Sequence, residues 1–488
     1  MPQIRTRIAA LAHSRPVEFV IRMVEHPGFA WMLIVLGILR CIVMLLAYPP
    51  AHGSDSFDYF LYAERLTGYD SLENMASHVA PLYPYLIAIT FKGLGSTYWL
   101  VGLQMVMAVV ITPIYYFAIR PYNALLAALV SLVILLDTQF HIVFNFTASE
   151  PLYVFLMALL VWSLLRGIYY AKSVPTLRVG PYFFAAGLLL AALFLTRPPG
   201  KLLFVPMVVV VFLATFSWKH VLRSVAGVVT GFVLYVLLSL VVTGQVEGFY
   251  AGMGMVRRAA VEVSDDSETA NEEPRPGEGG NLVVFLRNQL RLLLGDLPDF
   301  AERTADGMMD YVALAAPQYG QIPGRPGLVQ CDDYPHDLAE ATAYFDAELI
   351  DNSFNPLPAT PEVVADVRQV APAIWNAMCP ESRHVPATKK LVDRIARRYR
   401  SLGRPRYQIP FWYGGVLLLS LLVPRLRRFW PLVLVMGTLL LYHAFVSAAV
   451  IDVQPRYVVV TNPMRVVLLA LLPFMPLYWL FSRKNSSD

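Results

Sequence analysis

Residues 29–60 read FAWMLIVLGILRCIVMLLAYPPAHGSDSFDYF. As far as Tyr48 the stretch is apolar except for Arg40, and at about 1.5 Å of rise per residue it can cross a hydrocarbon core of about 30 Å. Two prolines then end the run, and two carboxylates, Asp55 and Asp58, follow at once. The stretch therefore reads as a membrane span that delivers a pair of acids to the membrane edge. The rest of the chain agrees. Of 488 residues, 57% are hydrophobic and only 15% charged, with a mean hydropathy of +0.52, so the chain has too little polar surface for a soluble protein of this length. An all-α polytopic membrane protein is expected. The first apolar run is too long for a cleaved leader and is expected to remain as an anchor. A net charge of +4, with no basic tract interleaved with aromatics, argues against nucleic acid as a partner.

Apolar windows predict ten transmembrane helices, near 29–48, 97–118, 122–138, 150–166, 182–196, 201–217, 225–243, 409–423, 431–450 and 464–481. Short segments rich in Lys and Arg separate alternate spans: RTRIAALAHSR, RPY, RGIYYAKSVPTLR, WKHVLR, PRLRR and SRK. All six fall on one side, which the positive-inside rule makes cytoplasmic along with the N-terminus. Asp55 and Asp58 are then outside. Two outer segments are long. In the first, 49–96, DYFLYAERLTGY and PLYPYLIAITFKGLG read as short helices along the membrane surface. The second divides the chain into a membrane module at 1–243, an outer segment at 244–408 and C-terminal spans at 409–488. It opens on the acidic, Pro/Gly-rich VEVSDDSETANEEPRPGEGGN and continues with helical patterns, so a mostly helical outer domain is expected. It also holds Cys331 and Cys379, which an oxidising outer compartment would favour as a disulfide.

The acids have company. Asp137 and His141 close the third span, Glu150 opens the fourth, and Arg197 and Lys201 stand in LTRPPGKLL. Asp452, Arg456 and Tyr457 lie in IDVQPRY, while His78, Tyr83 and Lys92 are in the first outer loop. Ionisable groups at membrane depth are costly and are retained for function or paired. Each has a plainer reading. Asp55 or Ser54 would cap a helix, Arg40 would pair with Asp137 or Glu150, and Lys201 would snorkel. The NFT at Asn145 stands too close to the membrane for a glycosylation site. Taken together, acids and bases ring an outer cavity above apolar spans, which suits a substrate with a charged head and a lipid tail. Arg197 and Arg456 match phosphate oxygens, Lys201 stands beside them, and the Asp55/Asp58 pair suits a general base or a divalent cation such as Mg or Mn.

These segments resemble the GT-C superfamily of membrane glycosyltransferases, and within it the protein O-mannosyltransferase and aminoarabinose transferase group. The similarity covers residues 29–243 and the PRY region. It rests on GSDSFDYFLYAERL followed by HVAPLYPYLIAI, on TASEPLYVFLMALL, on LTRPPGKLL and on QPRYVVVTNP, in that order and on one side. Where the superfamily carries a tight DxD or DE, this chain has DxxD. The resemblance implies a polyprenyl-phosphate sugar as donor, inverting transfer to a hydroxyl of a lipid, glycan or protein, and a bacterial plasma membrane with the active site extracytoplasmic. It implies Asp55 as base with Asp58 beside it, and Arg197, Lys201, Arg456 and Tyr457 at the phosphate. No Gly-rich phosphate loop follows a strand, no Ser-His-Asp pattern stands out, and two outer cysteines without neighbouring His make no zinc site. Two other readings share the cavity: a flippase of lipid-linked sugar, and a polymerase or ligase using polyprenyl-diphosphate glycans. The first should show paired broken spans, and only TRPPG is of that kind.

Overall fold

The computed structural model describes residues 15–47, 51–67, 79–93, 97–137, 140–141, 143–173, 179–200, 202–243, 328–329, 422–447 and 460–482. They are largely helical. In chain order the helices are α1 (Arg15–Glu25), α2 (Gly28–Ala47), α3 (Ser54–Arg65), α4 (Leu82–Ile87), α5 (Thr97–Ile119), α6 (Ala124–Leu136), α7 (Glu150–Ser173), α8 (Gly180–Thr196), α9 (Phe204–Thr215), α10 (Trp218–Thr243), α11 (Trp430–Val446) and α12 (Asn462–Ser482). Helices stand at nine of the ten expected spans; the remaining one, 409–423, lies almost wholly outside the described residues. Five helical stretches are long and apolar enough to cross a membrane: Gly28–Leu45, Trp99–Ile119, Glu150–Ser173, Trp218–Val242 and Leu426–Val446. Four shorter apolar helices, Ala124–Leu136, Gly180–Thr196, Phe204–Thr215 and Asn462–Tyr478, pack among them. The expected outer domain lies outside the described residues except for Leu328–Val329.

α5 and α7 form the centre. α5 packs against α2, α6 and α7, and α7 also meets α8, α9 and α11. α10 is peripheral, with most of its surface open. It lies against α8 through small residues. A Cβ on Gly187 would stand 2.0 Å from the Ser224 carbonyl oxygen, and one on Gly227 2.1 Å from that of Phe184. Without a hydrophobic drive between helices in lipid, such close backbone approach is how they associate.

Two of the basic segments, RPY and PRLRR, share one end of the bundle with α1. Tyr116 donates to the Val24 carbonyl at 2.5 Å and Arg120 to that of Glu25 at 2.7 Å, tying α1 to the end of α5. At the same end Arg428 donates to the Tyr122 carbonyl and, at 2.7 Å, to the Tyr478 hydroxyl. The RPY and PRLRR segments therefore meet at one end, in keeping with the single side expected for both.

Three short strands lie at the opposite end. β1 (Ala51–Gly53) pairs in parallel with β2 (Phe146–Thr147), in the register Ala51↔Phe146 and His52↔Thr147, and antiparallel with β3 (Leu328–Val329). The first outer loop departs from the surface helices the sequence suggests. In α3 the run Phe60, Leu61, Tyr62, Ala63 and Glu64 is buried throughout. Five successive buried positions cover every side of a helix, whereas a helix resting on headgroups would leave one side open. α4 packs on α3 and continues into a π-helical turn, Ala88–Gly93.

Candidate functional site

The acidic segment is anchored by its own polar residues. The β1–β2 pairing carries the chain into α3, whose first turns hold Asp55 and Asp58. Ser56, next to Asp55, donates its hydroxyl to the Thr147 carbonyl at 2.6 Å. Tyr59, next to Asp58, shares a 2.8 Å hydrogen bond with the Ser149 hydroxyl. Both contacts fall on the segment that leads into Glu150. The side chains of Asp55 and Asp58 themselves are outside the described set.

Behind that segment lies a buried polar layer. Tyr83 packs edge-on to Tyr59, with ring centroids 5.0 Å apart, and donates to Gln104 Oε1 at 3.1 Å. Gln104 in turn donates to the carbonyls of Phe144 at 2.9 Å and Phe146 at 2.7 Å. This side-chain amide thus holds the buried 144–146 backbone in place, supplying partners that irregular backbone away from water must find within the protein. Burial, with Tyr59 and Glu150 adding to it, pushes the Tyr83 phenol well above its usual range. Tyr83 is therefore a fixed donor.

Glu150, at the start of α7, meets Arg197, which ends α8, with Arg197 Nη1 2.6 Å from Glu150 Oε1. Both side chains are buried, at 5% and 7% exposure. The turn after Arg197 is tight: Gly200 donates to the Arg197 carbonyl, and a Cβ on Gly200 would stand 2.1 Å from the Leu193 oxygen. Tyr442 of α11 satisfies the Pro199 carbonyl at 2.6 Å. About one turn along α7 from Glu150, Tyr153 shares a 2.8 Å hydrogen bond with His443, the residue after Tyr442 in α11. His443 Nδ1 faces the Leu439 carbonyl at 2.7 Å, so in the neutral ring Nδ1 carries the proton and Nε2 accepts from Tyr153.

Asp137 and His141 belong to a second network. Arg40 does not simply pair with an acid: its guanidinium donates to the carbonyls of Leu135 and, at 2.5 Å, Asp137, capping the C-terminus of α6. The Asp137 carboxylate accepts from the Phe140 amide at 3.1 Å and from Asn462 Nδ2 at 3.0 Å. His141 donates Nε2–H to the Ile134 carbonyl at 3.1 Å, and burial with the nearby Arg40 charge keeps the ring neutral.

His78, Lys201, Arg456, Tyr457, Cys331 and Cys379 lie outside the described residues. Cys41 is a buried free thiol. Among the described residues, which do not include the side chains of Asp55 and Asp58, no three His, Cys, Asp or Glu side chains gather as a cation site. The structure adds Gln104, Ser149, Tyr153, Tyr442, His443 and Asn462 to the residues read from the sequence. His443 and Gln104 did carry a signal, since each is a polar group inside an apolar run. Comparison with protein-family models, with curated proteins and with solved structures finds no match.

Proposed function

We propose that this chain is an inverting membrane glycosyltransferase that moves a sugar from a polyprenyl-phosphate donor to an acceptor hydroxyl on a lipid, glycan or protein. Its active site faces the extracytoplasmic side, in a bacterial plasma membrane, with the N-terminus cytoplasmic. The observation that carries the reading is the convergence of three distant segments: the DxxD helix is pinned to 146–149, and the next residue, Glu150, holds Arg197.

Asp55 takes the proton of the acceptor hydroxyl as that oxygen attacks the anomeric carbon. The bond from this carbon to the phosphate oxygen breaks, and polyprenyl phosphate leaves. Guanidinium groups stabilise its charge. Glu150 orients Arg197 and also neutralises part of its charge, so Arg456 of QPRY is assigned the larger share of the phosphate, together with Lys201 and Tyr457. Asp58 positions Asp55 and supplies the second carboxylate if a divalent cation is bound.

The test is turnover of a panel of radiolabelled polyprenyl-phosphate sugars by the full-length protein in proteoliposomes. Wild type should release polyprenyl phosphate. Asp55→Asn should bind donor but lose about 10²–10⁴ in rate, the usual cost of removing a general base, and Asp58→Asn should lose less. An inactive Asp58→Asn beside a working Asp55→Asn would exchange the two roles. Wild type that carries labelled lipid across the bilayer without releasing phosphate would refute transfer.

A further inference from the structure

Helix α1 precedes the first span by two residues, and its sequence RPVEFVIRMVE alternates apolar and charged positions at helical spacing. Within it Val24 is buried against the bundle, at 3% exposure, and the Val24 and Glu25 carbonyls are held by Tyr116 and Arg120. The helix also packs on α6 and α2, so its inner side is settled. At 100° per residue, Phe19 and Met23 project about 100–140° away from Val24. They stand 67% and 43% exposed, while Arg22 and Glu25 are exposed on the remaining side. The helix thus presents protein contact at Val24, open apolar surface centred on Phe19 and Met23, and charge at Arg22 and Glu25; Val20 and Ile21, which flank Val24, are themselves 39% and 36% exposed.

What covers the apolar flank follows from its surroundings. Two residues further along the chain, α2, which packs against α1, exposes Trp31, Val35, Leu39 and Ile42 on a helix apolar enough to span a membrane. Trp31 stands in the first turn of α2. At the start of α10, Trp218 is likewise exposed and is followed by basic residues. Tryptophans of this kind mark the headgroup level. α1 lies at that level, at the basic end of the bundle, with Arg22 and Glu25 exposed on its charged flank. Lipid is the occupant that satisfies all three sides at once.

We infer that α1 is an interfacial anchor, seated in the headgroup–acyl boundary of the leaflet at the basic end, with Phe19 and Met23 in the acyl region and Arg22 and Glu25 toward water. Such helices bind by buried apolar area and lie in the plane of the interface. The inference is independent of the catalytic proposal. It also gives α1 a mechanical role: tied to the end of α5 by two hydrogen bonds, it fixes the depth at which that central helix sits.

The test places a photo-crosslinking benzophenone amino acid at Phe19 of the full-length protein in native membranes, with matched probes at Trp31 and Arg22. After irradiation, mass spectrometry should find the Phe19 peptide shifted by the mass of a phospholipid, as at Trp31, with no such shift at Arg22. A Phe19 probe that joins another polypeptide, or forms no lipid adduct while Trp31 does, would overturn the assignment. Met23 carrying the same probe guards against a local disturbance at Phe19 and should give the same adduct.

Discussion

Glu150 and Arg197 illustrate what a residue alone can and cannot disclose. Each is visible in the sequence as a charge at a span's end, but their partnership joins helices α7 and α8 at positions that no periodicity pairs. Burial makes the pair costly to break. Glu150→Gln or Arg197→Met alone leaves one charge buried and should destabilise the protein by about 3–5 kcal/mol, while the double replacement should recover much of the loss. Thermal unfolding of the three variants in detergent checks this, and additive losses would mean that the two side chains act separately. Arg456→Lys belongs to the same scale. A point charge does not replace a planar fork, so donor affinity should fall, and unchanged affinity would place the phosphate elsewhere. The Tyr153–His443 bond was beyond reach for a different reason. Its ends are 290 residues apart, and a lone His in an apolar run announces its cost without naming its partner.

Among the elements, the α8–α10 crossing rests on two glycines whose added Cβ atoms would meet backbone. Gly227→Ala should therefore lower the melting temperature, although alanine is intrinsically the better helix former by about 1 kcal/mol. Gly102 in α5 is the control, because a Cβ there meets nothing within 4 Å, and Gly102→Ala should leave stability unchanged or raised. Equal behaviour of the two variants would show that α10 does not need its close approach. α3 teaches the converse. Its boundaries were legible from the GSD start, but its burial was not. The amphipathic pattern of an isolated helix cannot anticipate a second element, here α4, packed over it.

For the whole molecule, the loop charges predict sidedness. Residues 244–408 should face outward, so a cysteine at Ser264 should react with an impermeant maleimide in intact cells. Reaction only after lysis would invert the topology and remove the extracytoplasmic site. In the same segment Cys331 and Cys379 should be joined, which non-reducing peptide mapping reads directly. A loop of this size would make the bridge worth roughly 2–4 kcal/mol, and two free thiols would refute it.

Helices long and apolar enough to cross a membrane, and the positions of the described helices, were legible in the sequence. They depend on sums over many residues, such as apolar length, which no single contact can reverse. The grouping of the charged residues was decided only by tertiary structure. The ring of acids and bases read along the chain separates into one network around Glu150 and Arg197 and another around Asp137 and Arg40. Which charges share a buried site depends on how helices cross and which backbone groups need a partner there. Those are properties of packing in three dimensions, as in the tight 198–200 turn that follows Arg197.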